Sequence, residues 1–183
     1  MTSDVTTTDT LPEEAEQGMP TSPDLGALTA AWNIGGPDYL PYRLLLVAKL
    51  LDRCTTRLLS ARFGLTVAEW RVLAQLSMDS PSTARRLAER AWVDRAEVSR
   101  AVSALIQKGY VARRDNPEDR RSAILSITKS GQALFEKIHP ERSAFYGALT
   151  GRLTPEAKEA VDQALAEFAR YSLDWLEEDS GSV

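Results

Sequence analysis

The segment between residues 82 and 128 constrains the fold of this chain most, because helix and strand signals follow one another there at short intervals. A short helix is predicted from Ser82 onward, from the spacing of its apolar residues. Asp94 is a typical N-cap residue and predicts a second, longer helix over residues 95–108. Gly109 follows at the position where glycine commonly ends a helix.

Two short runs of β-forming residues, 110–113 and 123–128, come directly after the second helix. The stretch between them is charged and turn-forming, so the two runs predict a two-stranded hairpin with a polar tip. The tip carries Asp119, Arg120 and Arg121. A short helix, a capped helix and a basic hairpin in direct succession predict a winged helix-turn-helix unit over residues 64–128. The predicted fold class is mainly α with a small β-wing, an α+β fold.

Apolar helical patterns flank this unit on both sides. Helices are predicted over residues 39–63, 129–149 and 155–176, the second of them bent at Pro140. The first helix has more apolar residues than one buried face needs, which indicates that it covers both its own core and a partner chain. We therefore interpret residues 39–63 as a helix that also contacts a partner chain.

The two ends of the chain are acidic and its middle is basic. Residues 1–38 hold seven acidic residues, no basic residue and few aliphatic ones, which predicts an acidic, largely disordered tail. The overall net charge is −4, but residues 81–130 hold eleven basic and six acidic residues, a net charge of +5. This asymmetry indicates a polyanionic partner, with an ordinary solvated surface as the alternative.

The remaining composition favours a cytoplasmic protein without membrane contact. No run of about eighteen apolar residues is present. No basic residue precedes Arg43 and the N-terminus lacks an apolar signal-peptide segment, so no secretory signal is expected. The single cysteine, Cys54, excludes an internal disulfide framework and is typical of a reducing compartment.

The polar side of the predicted 95–108 helix is suited to reading DNA. It carries Arg95, Ser99, Arg100 and Ser103. In a helix-turn-helix the second helix enters the major groove, where arginine binds guanine in a bidentate manner and serine contacts bases or phosphates. The basic hairpin tip is suited to the minor groove, and Asp119 is expected to orient a neighbouring guanidinium. A solvated helix and a polar loop are the alternative interpretations.

Three stretches of the chain resemble the MarR family of regulators. Residues 65–73 (LTVAEWRVL) are similar to the second helix of that family, and residues 94–102 (DRAEVSRAV) are similar to its recognition helix. Residues 116–122 (NPEDRRS) are similar to its wing. The resemblance covers residues 39–176, and the acidic tail before them departs from the family pattern.

This resemblance implies a homodimer that binds a palindromic operator in double-stranded DNA, with residues 39–63 and 129–177 as its helical dimerisation region. Its half-sites are expected to lie about one helical turn apart, roughly 34–36 Å. The resemblance also implies that Asp119 holds Arg121 in the minor groove, and that Arg95, Ser99 and Arg100 make the recognition contacts. Repression is the usual mode of regulation in the family.

The resemblance further implies a small effector, bound between the dimerisation helices and the winged domain. Arginines suit a carboxylate or phosphate, and aromatic side chains suit a ring, so we expect a phenolic acid or its coenzyme A (acyl-CoA) thioester. The candidate effector-binding residues are Tyr42, Arg43, Arg53, Arg57, Trp70 and Tyr146. Ordinary core packing is the alternative for the aromatic ones.

Other classes of protein have weaker support in the sequence. Cys54 admits a redox-responsive regulator, but its place on the apolar stripe of the first helix favours a buried structural cysteine. His139 is the single histidine, so neither a metal nor another cofactor is expected. Motifs that would indicate an enzyme are absent, and no catalytic residue is predicted. A winged-helix module that binds protein instead of DNA is the remaining alternative, which salt dependence would distinguish.

Overall fold

The structure, a computed structural model of the chain, describes residues 30–32, 36, 39–91, 93–119 and 121–180. The chain divides into two compact units, residues 1–44 and 45–183, which are described separately. The elements are α1 (Leu40–Phe63), α2 (Val67–Met78), β1 (Ser82–Thr83), α3 (Ala84–Ala91), α4 (Arg95–Gln107), β2 (Val111–Asp115), β3 (Ala123–Ile127), α5 (Lys129–Thr150) and α6 (Pro155–Ser180). This confirms a mainly α fold with a small β-sheet. Most of the tail that we predict to be disordered lies outside the described residues.

Local capping interactions begin and end the central helices, and those at Asp94 and Gly109 are the ones that the sequence predicts. Thr66 and Glu69 form a capping box at the start of α2: the Glu69 N–H donates to Thr66 Oγ1 (3.1 Å), and the Thr66 N–H donates to Glu69 Oε2 (2.7 Å). Asp94 caps α4 by accepting two N–H groups of its first turn. Gly109 follows α4 with a φ of 75°, a conformation that glycine adopts without strain.

The sheet has three strands where the sequence predicts two. Ser82 and Thr83 form the short strand β1 and pair antiparallel with β3, with Ser82 opposite Leu125. The strand order is β1-β3-β2. The prediction of a helix from Ser82 is therefore wrong, and α3 begins at Ala84. The prediction fails because the pairing partner of Ser82 lies far along the chain, and hydrogen bonds to that strand override the local helix signal.

Several predicted boundaries also move by one to four residues. Strand β3 ends at Ile127, because Thr128 caps α5 by accepting an N–H from its first turn (3.0 Å). Helix α6 continues to Ser180, beyond the predicted end at residue 176, since its last turns contain glutamates that favour helix. Helix α5 passes through Pro140 without interruption.

The hydrophobic core of the second unit lies between the end of α1 and the middle of α5. Its largest fully buried side chains are Leu59, Leu65, Leu73, Leu76, Leu87, Leu105, Leu125, Ile138, Val72 and Val98. In contrast, none of the side chains described for α6 is buried, and Val161, Leu165 and Trp175 are exposed. Within the described ranges, no helix is long and apolar enough to cross a bilayer.

Cys54 is exposed on α1, so the prediction of a buried structural cysteine is wrong. The buried residues of α1 are Thr55 and Leu59. Thr55 is the residue after Cys54, so the buried side of α1 is rotated about the helix axis relative to the apolar stripe that the sequence predicts. The amphipathic pattern of α1 is broad enough to allow either orientation, and packing against the core selects the second.

Gly131, in the first turn of α5, is held against the loop that follows α4. A Cβ atom at this position would lie 2.2 Å from the Tyr110 carbonyl oxygen and 2.9 Å from Ile127 Cγ1. We expect Gly131→Ala to lower the free energy of unfolding by at least about 1–3 kcal/mol, because the backbone must shift to admit the methyl group. Urea denaturation at equal protein concentrations measures the change.

Gly147 supplies the matched control in the same helix. A Cβ atom there meets nothing within 4 Å, so Gly147→Ala is expected to stabilise the protein by about 0.5–1 kcal/mol. Equal effects of the two substitutions would contradict the close contact at Gly131.

Candidate nucleic-acid interface and ligand cavity

Helix α4 has one apolar side in the core and one polar side in solvent. The buried residues are Val98, Ala101, Val102 and Leu105. The exposed side carries Arg95, Ser99, Arg100 and Ser103, which we call the α4 face. Ser103 Oγ donates to the Ser99 carbonyl oxygen (2.9 Å), and its own lone pairs stay available to a donor. The structure thus brings all four predicted recognition residues to one exposed surface.

The arginines of the helix-turn-helix differ in whether they have acidic partners. In α3, Arg86 and Arg90 both pair with Asp79, and Arg85 pairs with Glu89. The hydrogen bond from Arg85 to Glu89 raises the pKa of that guanidinium. The positive charge of α3 is therefore largely balanced within the protein.

The arginines that the structure describes in α4 and at the wing tip have no such partner. Within the part of the chain that the structure describes, no ion pair involves Arg95, Arg100 or Arg121. Each of the three is exposed. Their positive charge is available to an external anion, since no neighbouring carboxylate neutralises it.

Strand β2 adds two arginines that sequence reasoning did not select. Arg113 lies opposite Leu125 and Arg114 opposite Ile124, so the two project from opposite faces of the hairpin. Both are exposed and unpaired among the described residues. The placement of these two arginines on opposite faces could have been predicted from the sequence, because adjacent residues in a strand alternate between its faces.

The wing tip is shaped by side-chain contacts to the main chain. Asp119 Oδ1 accepts the N–H of Arg121 (2.9 Å), and Asn116 Oδ1 accepts the N–H of Glu118 (3.1 Å). Asp119 thus orders the backbone that carries Arg121, whereas no ion pair joins the two side chains as described. Asp119 therefore acts on Arg121 through the main chain, and its role in orienting a guanidinium stays a prediction. Arg120, also predicted at the tip, lies outside the described residues.

An open cavity of about 640 Å³ lies between α1 and α5, and we call it the α1/α5 cavity. Its polar lining consists mainly of Arg57, Arg62, Glu141 and Arg142, and its apolar lining includes Leu58 and Phe145. Arg62 pairs with Glu141 (2.5 Å), whereas Arg57 has no acidic partner among the described residues. The volume is in the usual range for small-molecule sites, and the charges favour an anion.

Arg142 is fixed at this cavity by aromatic rings. Its guanidinium lies 5.3 Å from the centre of the Trp70 ring and 5.2 Å from that of Tyr146, and it donates to Tyr146 Oη (2.6 Å). Trp70 in turn stacks on Phe135 at 5.6 Å. Trp70 is thus a buried core residue that supports Arg142, in agreement with core packing as the alternative for this aromatic.

The predicted effector residues are divided between different places. Arg57 lines the α1/α5 cavity, and Trp70 and Tyr146 contact a residue that does. Arg53 is exposed and is absent from the cavity lining. In the first unit, Arg43 donates to the Trp32 carbonyl oxygen (2.8 Å), and the Tyr42 ring packs edge-on against Tyr39.

The sequence did not identify Arg62, Glu141 or Arg142 as parts of the cavity. A signal for Arg142 exists in its spacing, because Tyr146 follows one helical turn later. No comparable signal exists for the pair of Arg62 and Glu141, because their helices are far apart in the sequence and come into contact only in the folded protein.

The fold and the unpaired arginines define a winged helix-turn-helix protein. Residues 63–122 match the model of the MarR family. The structure superposes on a mutant MarR from Escherichia coli complexed with operator DNA, with a TM-score of 0.63 and 27% identity, covering 72% of this chain and 95% of that one. Residues 63–122 of the chain thus match the MarR family, and the fold is that of solved MarR structures.

Two curated relatives are similar over the same region. The transcriptional activatory protein BadR from Rhodopseudomonas palustris is 31% identical over 60% of this chain and 65% of its own length. The homoprotocatechuate degradative operon repressor from Escherichia coli is 27% identical over 58% of this chain and 72% of its own length. The chain spans just under two thirds of the length of several relatives that it matches, 65–66%.

Proposed function

We propose that this protein is a DNA-binding transcriptional regulator that binds a palindromic operator as a homodimer and is released by a small anionic effector. The observation that carries the proposal is the distribution of unpaired arginines. Arg95, Arg100 and Arg121 lack acidic partners in the part of the chain that the structure describes, whereas the arginines of α3 are balanced by Asp79 and Glu89. An arginine contributes most to phosphate binding when it does not have to give up an ion pair within the protein.

In this proposal the α4 face enters the major groove. Arg95 and Arg100 contact base edges or phosphates, and Ser99 and Ser103 supply short donors and acceptors between them. The wing follows the DNA backbone toward the minor groove, and Arg121 is directed there by the turn that Asp119 orders. Arg113 and Arg114 lie behind the tip and add phosphate contacts from the two faces of β2.

The homodimer follows from apolar surface that this chain does not cover by itself. Seven apolar residues of α6 form one stripe on the helix: Ala157, Val161, Ala164, Leu165, Phe168, Tyr171 and Trp175. Large exposed apolar faces of this kind mark protein interfaces. Residues 39–63 and 129–177 act as the dimerisation region and residues 64–128 as the DNA-binding domain, and two-fold symmetry requires an operator with two equivalent half-sites.

The proposed effector is an aromatic or acyl compound with a carboxylate or phosphate group, bound in the α1/α5 cavity. Arg57 is the ligand of this anionic group, because its guanidinium has no acidic partner among the described residues, while Leu58 and Phe145 contact the apolar part. The MarR-family relative that represses a homoprotocatechuate degradative operon supports both an aromatic acid and repression. Phenolic acids and their coenzyme A thioesters are the compounds to test first.

DNA binding is tested by the salt dependence of affinity. Duplexes selected by the protein from a random pool are titrated in mobility-shift assays between 50 and 200 mM salt. We expect affinity to fall roughly a thousandfold or more, because a dimer that neutralises about six or more phosphates releases their counterions. Failure to select any duplex would contradict the proposal and favour a winged-helix module that binds protein.

Effector binding is tested by thermal shift with 4-hydroxybenzoate, its coenzyme A thioester and the neutral 4-hydroxybenzamide. We expect a carboxylate or thioester present at about a hundred times its Kd to stabilise the fold by about 2.7 kcal/mol, and the amide to have little effect. Arg57→Ala is expected to abolish the shift. Arg53→Ala is the matched control, since Arg53 lies one turn away and is absent from the cavity lining. Equal losses in both variants would argue against Arg57 as the ligand.

A further inference from the structure

Three helices meet at one buried carboxylate, that of Glu69. Its side chain is 4% exposed, and its Oε2 accepts the Thr66 N–H at the start of α2 (2.7 Å). Its Oε1 accepts from Nζ of Lys108, the residue at the C-terminal end of α4 (2.7 Å). The same Nζ also donates to the carbonyl oxygen of Gly64, directly after α1 (2.9 Å). The ends of α1, α2 and α4 are thus joined through Lys108.

The contacts of this cluster constrain the positions of its two charged groups, the Glu69 carboxylate and the Lys108 ammonium. A carboxylate removed from water requires compensating donors, and here the capping N–H and the Lys108 ammonium provide them. Lys108 also lies at the C-terminal end of α4, where a positive charge interacts favourably with the helix dipole. If that end of α4 moved, the buried carboxylate of Glu69 would lose the Lys108 donor and its Oε1 would be left without this hydrogen bond.

We propose that Lys108 is a positioning residue for operator recognition: it fixes the C-terminal end of α4 and thereby sets the angle at which the α4 face enters the major groove. The inference rests on the proposed DNA-binding function. Base contacts require side chains to be placed within a fraction of an ångström, whereas non-specific contacts to phosphates tolerate small rotations of the helix. Loss of the Lys108 contact therefore reduces specific binding and spares non-specific binding.

The test compares Lys108→Met with Lys137→Met, which removes the same charge from an exposed position on α5. Affinities for the selected operator and for a random duplex are measured over a range of salt concentrations, at a temperature where circular dichroism shows each variant folded. We expect Lys108→Met to lose at least about tenfold in operator affinity, with random-duplex affinity within about twofold and an unchanged salt slope. Lys137→Met should match the wild type.

Glu69→Gln gives a second route to the same contact. Glutamine retains a carbonyl oxygen for the Thr66 N–H, so the capping box persists while the ion pair is lost. We expect its operator affinity to fall as in Lys108→Met, and the double variant to be no weaker than the single ones, because both remove one interaction. This variant decides the question if Lys108→Met does not fold.

Two results would overturn the proposal. Unchanged operator affinity in folded Lys108→Met and Glu69→Gln would show that the cluster only stabilises the fold. A parallel loss on both duplexes with a shallower salt slope for Lys108→Met alone would show that Lys108 contacts phosphate. Failure of the proposed function itself is distinguishable, because the wild-type protein would then bind no duplex in a salt-dependent manner.

Discussion

Replacing Arg121 by alanine is expected to weaken operator binding by about ten- to a hundredfold, without change in folding or oligomeric state. Arg121 is exposed at the wing tip and has no acidic partner among the described residues, so its removal costs the protein no internal contact. A guanidinium placed in the minor groove interacts with a concentrated negative potential, and each dimer would lose two such contacts. Mobility-shift titration and size-exclusion chromatography with light scattering measure the two properties.

The matched control is Arg152→Ala, which removes an exposed arginine after α5, away from the wing. It should leave operator affinity unchanged. Arg100→Ala provides a contrast, because a base-contacting residue is expected to change the sequence selected from random duplexes as well as the affinity. If Arg121→Ala binds the operator as tightly as Arg152→Ala does, the wing is not a DNA contact.

Introducing aspartate at Leu165 of α6 is expected to dissociate the dimer and reduce operator affinity more than a hundredfold at nanomolar protein concentrations. Leu165 is 41% exposed in the single chain and belongs to the apolar stripe of α6. A carboxylate placed in an apolar interface loses its hydration without gaining a partner. The monomer retains one half-site contact and loses the gain in affinity that comes from linking two.

The monomer should stay folded, because no described side chain of α6 is buried in the core. Circular dichroism and sedimentation velocity check this together. Gln163→Asp, on the opposite side of α6, introduces the same charge and should leave the dimer intact. A dimeric Leu165→Asp protein would place the interface elsewhere.

Local sequence signals were sufficient for much of the fold. The N-cap at Asp94 and the glycine after α4 act within a few residues, and the structure confirms both of them. The polar side of α4 was equally readable, because helical periodicity alone separates Ser99 and Arg100 from the buried positions. The placement of these residues is confirmed, while their role in DNA binding stays a prediction.

Other features depended on partners that are distant in sequence. Ser82 joins the sheet only because β3 is available to pair with it, and Cys54 is exposed only because the core packs against Thr55 and Leu59. The charge of α3 shows the same limit. Its arginines contribute to the basic block of residues 81–130, yet Asp79, just outside that block, pairs with two of them.

The sequence by itself determined the order of the helices, their caps, the basic hairpin and the polar α4 face, because these depend on interactions within a turn or two of chain. The tertiary structure decided which arginines are free, where the α1/α5 cavity lies and how Lys108 reaches Glu69. Those features depend on contacts between residues that are far apart in the chain, and a linear pattern contains no measure of distance between separate elements. Charge was therefore visible in the sequence, but its availability to DNA was fixed only by folding.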